Sequence, residues 1–205
     1  MMQQLEVINT LKKVLNFTDS SIEKLKIFCK MVLKENKNHN LISKSTESVI
    51  WERHILDSAQ LVKFVNFESN SLADLGSGAG FPGLVLEIFN KNKDFHVKLY
   101  EKSPVKRHFL KKVVEQLNLN AKVFGSIRDE ILDTDIIVCR AFKKLDKVIQ
   151  VSREIAKKPH KLIILKGQNA QVELKKSFKT KQYPYKLENS MTDKNSKIII
   201  MEINS

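Results

Sequence analysis

At 205 residues and 42% apolar content, the chain can bury one sizeable core and is too apolar to be disordered. Thirty-six Lys and Arg against 23 acids give a formal charge of +13, which suits a polyanionic partner such as nucleic acid. No apolar run is long enough to span a bilayer and the first residues show no leader pattern, so a cytoplasmic protein without membrane contact is expected.

Leu5, Ile8, Leu11, Val14 and Leu15 recur at helical spacing, predicting a first helix over 3–15. Thr18-Asp19-Ser20-Ser21 re-caps the chain for a second helix, with Ile22, Leu25, Phe28, Cys29 and Val32 on one face and an end near Glu35. Two shorter helices are expected around 46–52 and 54–65, making 1–65 a helical N-terminal extension. From Ser71 the pattern changes. Apolar runs at 71–75, 95–100, 121–124, 134–139 and 161–165 read as strands, and helices are expected at 82–91, 104–118, 143–157 and 168–178. Two final runs, 183–188 and 197–203, read as a closing antiparallel hairpin. This alternation predicts an α/β fold over 66–205: a doubly wound, mostly parallel sheet of about seven strands.

The densest motif is Asp74-Leu75-Gly76-Ser77-Gly78-Ala79-Gly80-Phe81-Pro82-Gly83, between the first strand and a helix. Open α/β sheets bind nucleotides at that position. Glycines there allow close backbone approach, and Pro82 is expected to start a helix whose free N–H groups point at the ligand. Gly78 to Gly83 also satisfies the dinucleotide pattern, with Glu101 near the spacing of a ribose-binding acid. Asp74 argues against a pyrophosphate, because its carboxylate would repel one, and is tolerable beside a sulfonium ligand with a cationic amino group.

An acidic residue, three alternating glycines and an acid closing the second strand resemble the class I methyltransferases. That resemblance implies S-adenosylmethionine as cofactor, its methionine part on the loop and its ribose on Glu101. The flanking residues extend the match to most of the chain. They are Asn36 with Asn40-Leu41, Arg53-His54 with Asp57-Ser58, Glu101 with Lys106-Arg107, Arg128, Cys139-Arg140-Ala141, and Lys166-Gly167. Together with the glycine loop they resemble the RsmG (GidB) family, bacterial guanine-N7 methyltransferases of 16S rRNA.

The resemblance implies methyl transfer to N7 of a single guanine, 527 in usual numbering, in the decoding-region 530 loop. The implied partner is 16S rRNA, in the small subunit or an assembly intermediate. It further implies donor contacts from Asp74, Gly76, Ser77, Gly78, Gly80, Phe81, Glu101, Ile127, Arg128 and Arg140, and a reaction centre at Asn40, His54, Arg140 and Lys166. RNA contacts are expected from Arg53, Lys106, Arg107, Arg128 and Lys166. The chain departs from the family with Cys139 for the usual Ala, with Ser126-Ile127-Arg128-Asp129-Glu130 after the third strand, and with Lys197 as the nearest basic residue before the last strand.

The expected chemistry agrees with these residue types. Guanine N7 has a lone pair and no proton, so its attack on a sulfonium methyl requires orientation and not a general base. Arg140 cannot act as a base, but it can grip a phosphate or the guanine O6/N7 edge. Cys139 is the one candidate cysteine nucleophile, though its place at a strand end reads as core. Trp51 and Phe142 can stack on a flipped base or simply pack. His54 and Asp57, at i and i+3, can share an orienting hydrogen bond. Cys29 and Cys139 are too few and too far apart for a metal site, and no dimerisation stripe is evident, so a metal-free monomer is expected.

Overall fold

The computed structural model describes residues 2–127, 132–177 and 183–204. Helices α1 (Gln4–Lys13) and α2 (Asp19–Asn36) come first, and the Thr18 hydroxyl caps α2 by accepting from the Ser21 amide. A 3₁₀ turn at Lys44–Thr46 follows. The chain is then helical from residue 51 to 63: a π-helix at Trp51–Leu56, a short α3 (Asp57–Ala59) and a 3₁₀ turn at Gln60–Lys63. One continuous run therefore stands where two helices at 46–52 and 54–65 were expected.

The remainder alternates as β1 (Ser71–Leu75), α4 (Gly83–Phe89), β2 (His96–Tyr100), α5 (Pro104–Gln116), β3 (Ala121–Phe124), β4 (Ile136–Arg140), α6 (Leu145–Ile155), β5 (His160–Lys166), α7 (Ala170–Ser177), β6 (Tyr185–Asn189) and β7 (Lys197–Ile203). These seven strands form one sheet in the order β3-β2-β1-β4-β5-β7-β6. β1 to β5 pair in parallel, and β7 runs antiparallel between β5 and β6. The result is the doubly wound, mostly parallel sheet with a closing hairpin that the alternation predicted.

The sheet is covered on both faces, as a parallel sheet must be. Phe28, Ile55, Leu84, Phe109 and Val113 belong to one core, built from α1, α2, the 51–63 run, α4 and α5 against the sheet. A second core gathers Leu145, Val148, Ile149, Ala170 and Leu174 from α6 and α7 against Ala73, Ile137, Leu162 and Ile164. Every residue of the central strand β1 is buried, Asp74 included. Among the described residues no helix is long and apolar enough to cross a membrane.

Candidate active site

β1 and β4 are neighbours whose crossovers leave in opposite directions, so a crevice opens at their carboxyl ends. The loop after β1 fills one side of it. Gly76, Gly78 and Gly80 all have positive φ (75°, 58° and 102°), a region closed to most L-residues. The Gly76 and Ser77 amides both donate to the Tyr100 carbonyl, tying the loop to β2. A side chain added at Gly78 would meet little but the Gly76 carbonyl at 3.9 Å, so this part of the loop is open to a ligand.

Glu101, just past β2, reaches back to the loop. One carboxylate oxygen accepts from the Gly78 amide (2.9 Å) and the other from the Ser103 amide (2.8 Å). Each oxygen keeps a lone pair for a ribose hydroxyl. Arg107 donates to the Glu101 and Lys102 carbonyls, so it braces this turn more than it offers charge to RNA. Lys106 is half-buried one position earlier.

Asp74 is fully buried. One of its oxygens accepts from the Gly83 amide (2.9 Å), and the other has no hydrogen-bond partner. Burial pushes its carboxyl up to about 7, against the opposing pull of the Gly83 amide, the Ser77 hydroxyl and the Arg140 charge. The other leading amides of α4 are also used within the chain: Leu84 donates to the Gly80 carbonyl, and Val85 and Leu86 donate to that of Pro82. The expectation of a free helix N-terminus aimed at the ligand is therefore corrected. A pyrophosphate would find a buried carboxyl in place of free N–H groups, so the loop fits a dinucleotide poorly. It fits S-adenosylmethionine: an open glycine turn, an acid poised for ribose, and an unpaired carboxyl oxygen below.

The side chains of Ser77 and Phe81 are turned into the protein. Ser77 is buried and donates its hydroxyl to the Asp74 carbonyl (3.1 Å), bracing the loop. Phe81 is buried with its ring 5.0 Å from that of His54 and 5.1 Å from that of Phe28, and the Arg140 guanidinium lies 5.2 Å from its centroid. Ile127 is buried in the second core, and Arg128 lies outside the described residues.

Beside the loop, at the ends of β4 and β5, lies a cleft of about 530 Å³ lined in part by Arg53, His54, Asp57, Arg140 and Lys166. The π-helix brings Arg53 and His54 here; such wide turns recur at functional sites. Arg140 ends β4 and is held on several sides. Its guanidinium donates to the Arg53 carbonyl (3.1 Å) and to His54 Nδ1 (2.9 Å), and it pairs with Asp57 at 3.5 Å. Because Arg140 can only donate, Nδ1 of His54 must accept, which places the imidazole proton on Nε2. Nε2 then donates to the Thr46 hydroxyl (2.8 Å). Burial first, then the charges of Arg140 and Arg53, push His54 down to about 3, so the ring is neutral at physiological pH.

Lys166 donates to Glu173 and to the Lys143 carbonyl, both at 2.8 Å. Arg53 is half-exposed, with Asp193 of the β6–β7 turn at 3.6 Å. Asn40 is exposed and is not among the residues lining the cleft, whereas Asn36 is buried and accepts from the Leu41 and Ile42 amides. Cys139 is buried, its thiol pushed up to about 12 chiefly by burial, which removes it as a nucleophile. Trp51 packs in the first core and is not a stacking platform. Phe142 lies against Gly76, where an added Cβ would come within 2.7 Å of the ring, and its neighbour Ala141 lines the cleft. The donor loop and the cleft meet at this pair, and Ala141 turns the chain there with a φ of 50°.

Sequence reasoning did not assign roles to Thr46, Gln60, Glu173 or Thr192. It noted Asp57 through its spacing from His54, but the two do not bond each other; both bond Arg140. No local pattern marks Thr46 or Thr192: Thr46 meets His54 only because the chain turns between them, and Thr192 meets Asp57 across 135 residues.

Comparisons with known proteins identify the family. The GidB family model, described as rRNA small subunit methyltransferase G, matches residues 21–200. A Rickettsia felis protein named ribosomal RNA small subunit methyltransferase G is 37% identical over 179 residues, covering 87% of this chain and 91% of its own length. A Pelagibacter ubique protein of the same name is 37% identical over 176 residues, covering 83% of each chain. A solved S-adenosylmethionine-dependent methyltransferase from Aquifex aeolicus superposes with a TM-score of 0.56 at 14% identity, covering 74% of this chain and 91% of that one. A predicted O-methyltransferase from Agrobacterium tumefaciens gives 0.59 at 14% identity, covering 74% and 81%. At those identities the structures speak to the fold alone, which is the Rossmann-like class I methyltransferase fold. The chain belongs to the rRNA small subunit methyltransferase G (GidB) family and is an S-adenosylmethionine-dependent methyltransferase.

Proposed function

We propose that the chain methylates N7 of a single guanine in 16S rRNA, within the small subunit or an assembly intermediate of it. The family relationship supports rRNA as the substrate class. The observation that carries the N7 assignment is that each potential base lining the cleft is already committed. His54 accepts from Arg140 and donates to Thr46, Asp57 pairs with Arg140, and Glu173 pairs with Lys166. A site for methylating an exocyclic amine or a hydroxyl would want a free acceptor for the departing proton. Guanine N7 has none to lose.

When bound, S-adenosylmethionine supplies an electrophilic methyl group on a sulfonium centre. Glu101 and the glycine turn fix where the donor rests. Arg140, locked by His54, Asp57 and the Arg53 carbonyl, presents its remaining N–H groups to a phosphate or to guanine O6, orienting N7 toward the methyl group. Neutral His54 holds the arginine without adding a charge of its own. Arg53, half-exposed at the rim, meets the RNA backbone.

The test is to incubate the purified protein with radiolabelled S-adenosylmethionine and small subunits lacking the modification, then map the product by strand cleavage specific to N7-methylguanine. Label at one guanine of the 530 loop, lost in Glu101→Ala, is the expected result. Label elsewhere in the RNA would replace the target, and label without N7-specific cleavage would replace the chemistry.

A further inference from the structure

The turn joining β6 to β7 is wired into the cleft through two residues that no motif marks. Gln60 is buried and uses both ends of its amide. Its nitrogen donates to the Asp57 carbonyl (3.0 Å), to Asp57 Oδ1 (3.0 Å) and to the Ser190 hydroxyl (3.1 Å), while its oxygen accepts from the Met191 amide (2.7 Å). Thr192, one residue on, donates its hydroxyl to the same Asp57 Oδ1 at 2.9 Å. Asp57 Oδ1 is thus occupied twice, and Oδ2 is the atom that faces Arg140 at 3.5 Å.

We propose that Gln60 and Thr192 are positioning residues for methyl transfer: Gln60, three residues on and tied to the closing hairpin, and Thr192, carried by that hairpin, together clamp Asp57 Oδ1, so that Oδ2 and the Arg140 guanidinium are held in register with the substrate cleft. This rests on the reading of Arg140 as the residue that orients the guanine. A carboxylate pinned at one oxygen cannot rotate about its terminal torsion, which is otherwise broad and roughly two-fold. Asp57 also sits where the helical run changes from π to α, and neither geometry by itself fixes that side chain. The clamp is completed instead by a segment about 130 residues away in sequence, which bonds Asp57 directly through Thr192 and holds Gln60 through Ser190 and Met191. The same turn carries Asp193, 3.6 Å from Arg53, so one short segment sets the surroundings of both arginines at the cleft.

The proposal separates from a merely structural role by coupling. Thr192→Val keeps the shape and removes the donor; Thr192→Ser restores it. In methylation of small subunits, Thr192→Val should lower kcat/KM for the RNA by about 5- to 10-fold, the scale of one lost hydrogen bond. The S-adenosylmethionine Kd should be unchanged, and Thr192→Ser should recover most of the loss. In an Arg140→Ala background Thr192→Val should cost nothing further, because residues acting through one another are not additive.

A second measurement needs no RNA. The chain has only five arginines, so the ¹⁵N guanidinium signals can be assigned by substitution, and the Arg140 signal should be sharp in the wild type and broadened in Thr192→Val. A Thr192→Val loss that persists undiminished in Arg140→Ala overturns the proposal, and so does an Arg140 signal that Thr192→Val leaves unchanged. If wild-type protein transfers no methyl group to rRNA, the proposed function fails, and the Arg140 signal alone decides the clamp.

Discussion

Arg140 is useful to the site because almost nothing about it is free to move. An exposed arginine loses rotamer entropy when it meets a ligand, whereas this one has already been ordered by His54, Asp57 and the Phe81 ring. Lys166 is equally spoken for, and so is Arg107, which leaves Arg53 as the cation at the cleft best placed to exchange a protein partner for a phosphate. Cys139 supplies a contrasting case, reactive in type and inert in place. Cys139→Ala should transfer methyl groups within about 3-fold of wild type and lose about 1 kcal/mol of stability from the shaved core contact. Activity assayed beside urea unfolding checks both, and a folded but inactive Cys139→Ala protein would demand a covalent route.

At the scale of elements, the contact between β1 and α4 fixes the donor loop. Gly83 opens α4 so close to β1 and β2 that an added Cβ would lie 2.5 Å from Leu99 Cδ2 and 2.7 Å from Asp74 Oδ2. Gly83→Ala should therefore push α4 off the sheet, destabilise the protein by about 1–3 kcal/mol as overpacking does, and weaken S-adenosylmethionine binding in calorimetry. Binding and stability both at wild-type levels would contradict the packing argument. The alternation of strands and helices was legible in the sequence because apolar runs and caps such as Ser103-Pro104 are local signals. The π-helix was not, since Trp51, Ile55, Leu56 and Ala59 suit a 3.6-residue period over a single turn as well as a wider one. The loop glycines and Glu101 could be read because a fixed motif names them, whereas Thr46 and Thr192 could not, because their meaning depends on which residue the fold brings to them.

For the molecule as a whole, the buried acids Asp74 and Glu87 and the two histidines that burial lowers, His54 and His160, shape the response to pH. Burial raises both Asp74 and Glu87 to about 7, so the folded state holds protons that the unfolded chain has released. Their contribution to stability is full below about pH 4 and is lost as the pH rises to about 7. His54, held near 3 when folded, contributes in the opposite sense: its share is complete above about 6.5 and fades as the pH falls. The two trends oppose each other in acid and separate near neutrality. Urea unfolding of the donor-free protein should show stability falling between pH 6 and 8, by about 1 kcal/mol for each acid. Glu87→Gln should remove about half of that slope, and an unchanged slope would mean that Glu87 is not the group responsible.

The sheet order has a consequence for the timing of assembly. β7 lies between β5 and β6, although it is the last strand in sequence. A nascent chain holds every residue of the glycine loop and Glu101 well before residues 185–203 are made. β6, by contrast, has no strand to pair with until residues 197–203 have emerged. The turn that reaches Asp57 and Arg53 is carried between those two strands, so it can settle only after β7 has slotted in beside β5. The glycine loop is thus within reach of an unfinished chain, and the cleft proposed to orient the substrate must wait for β7.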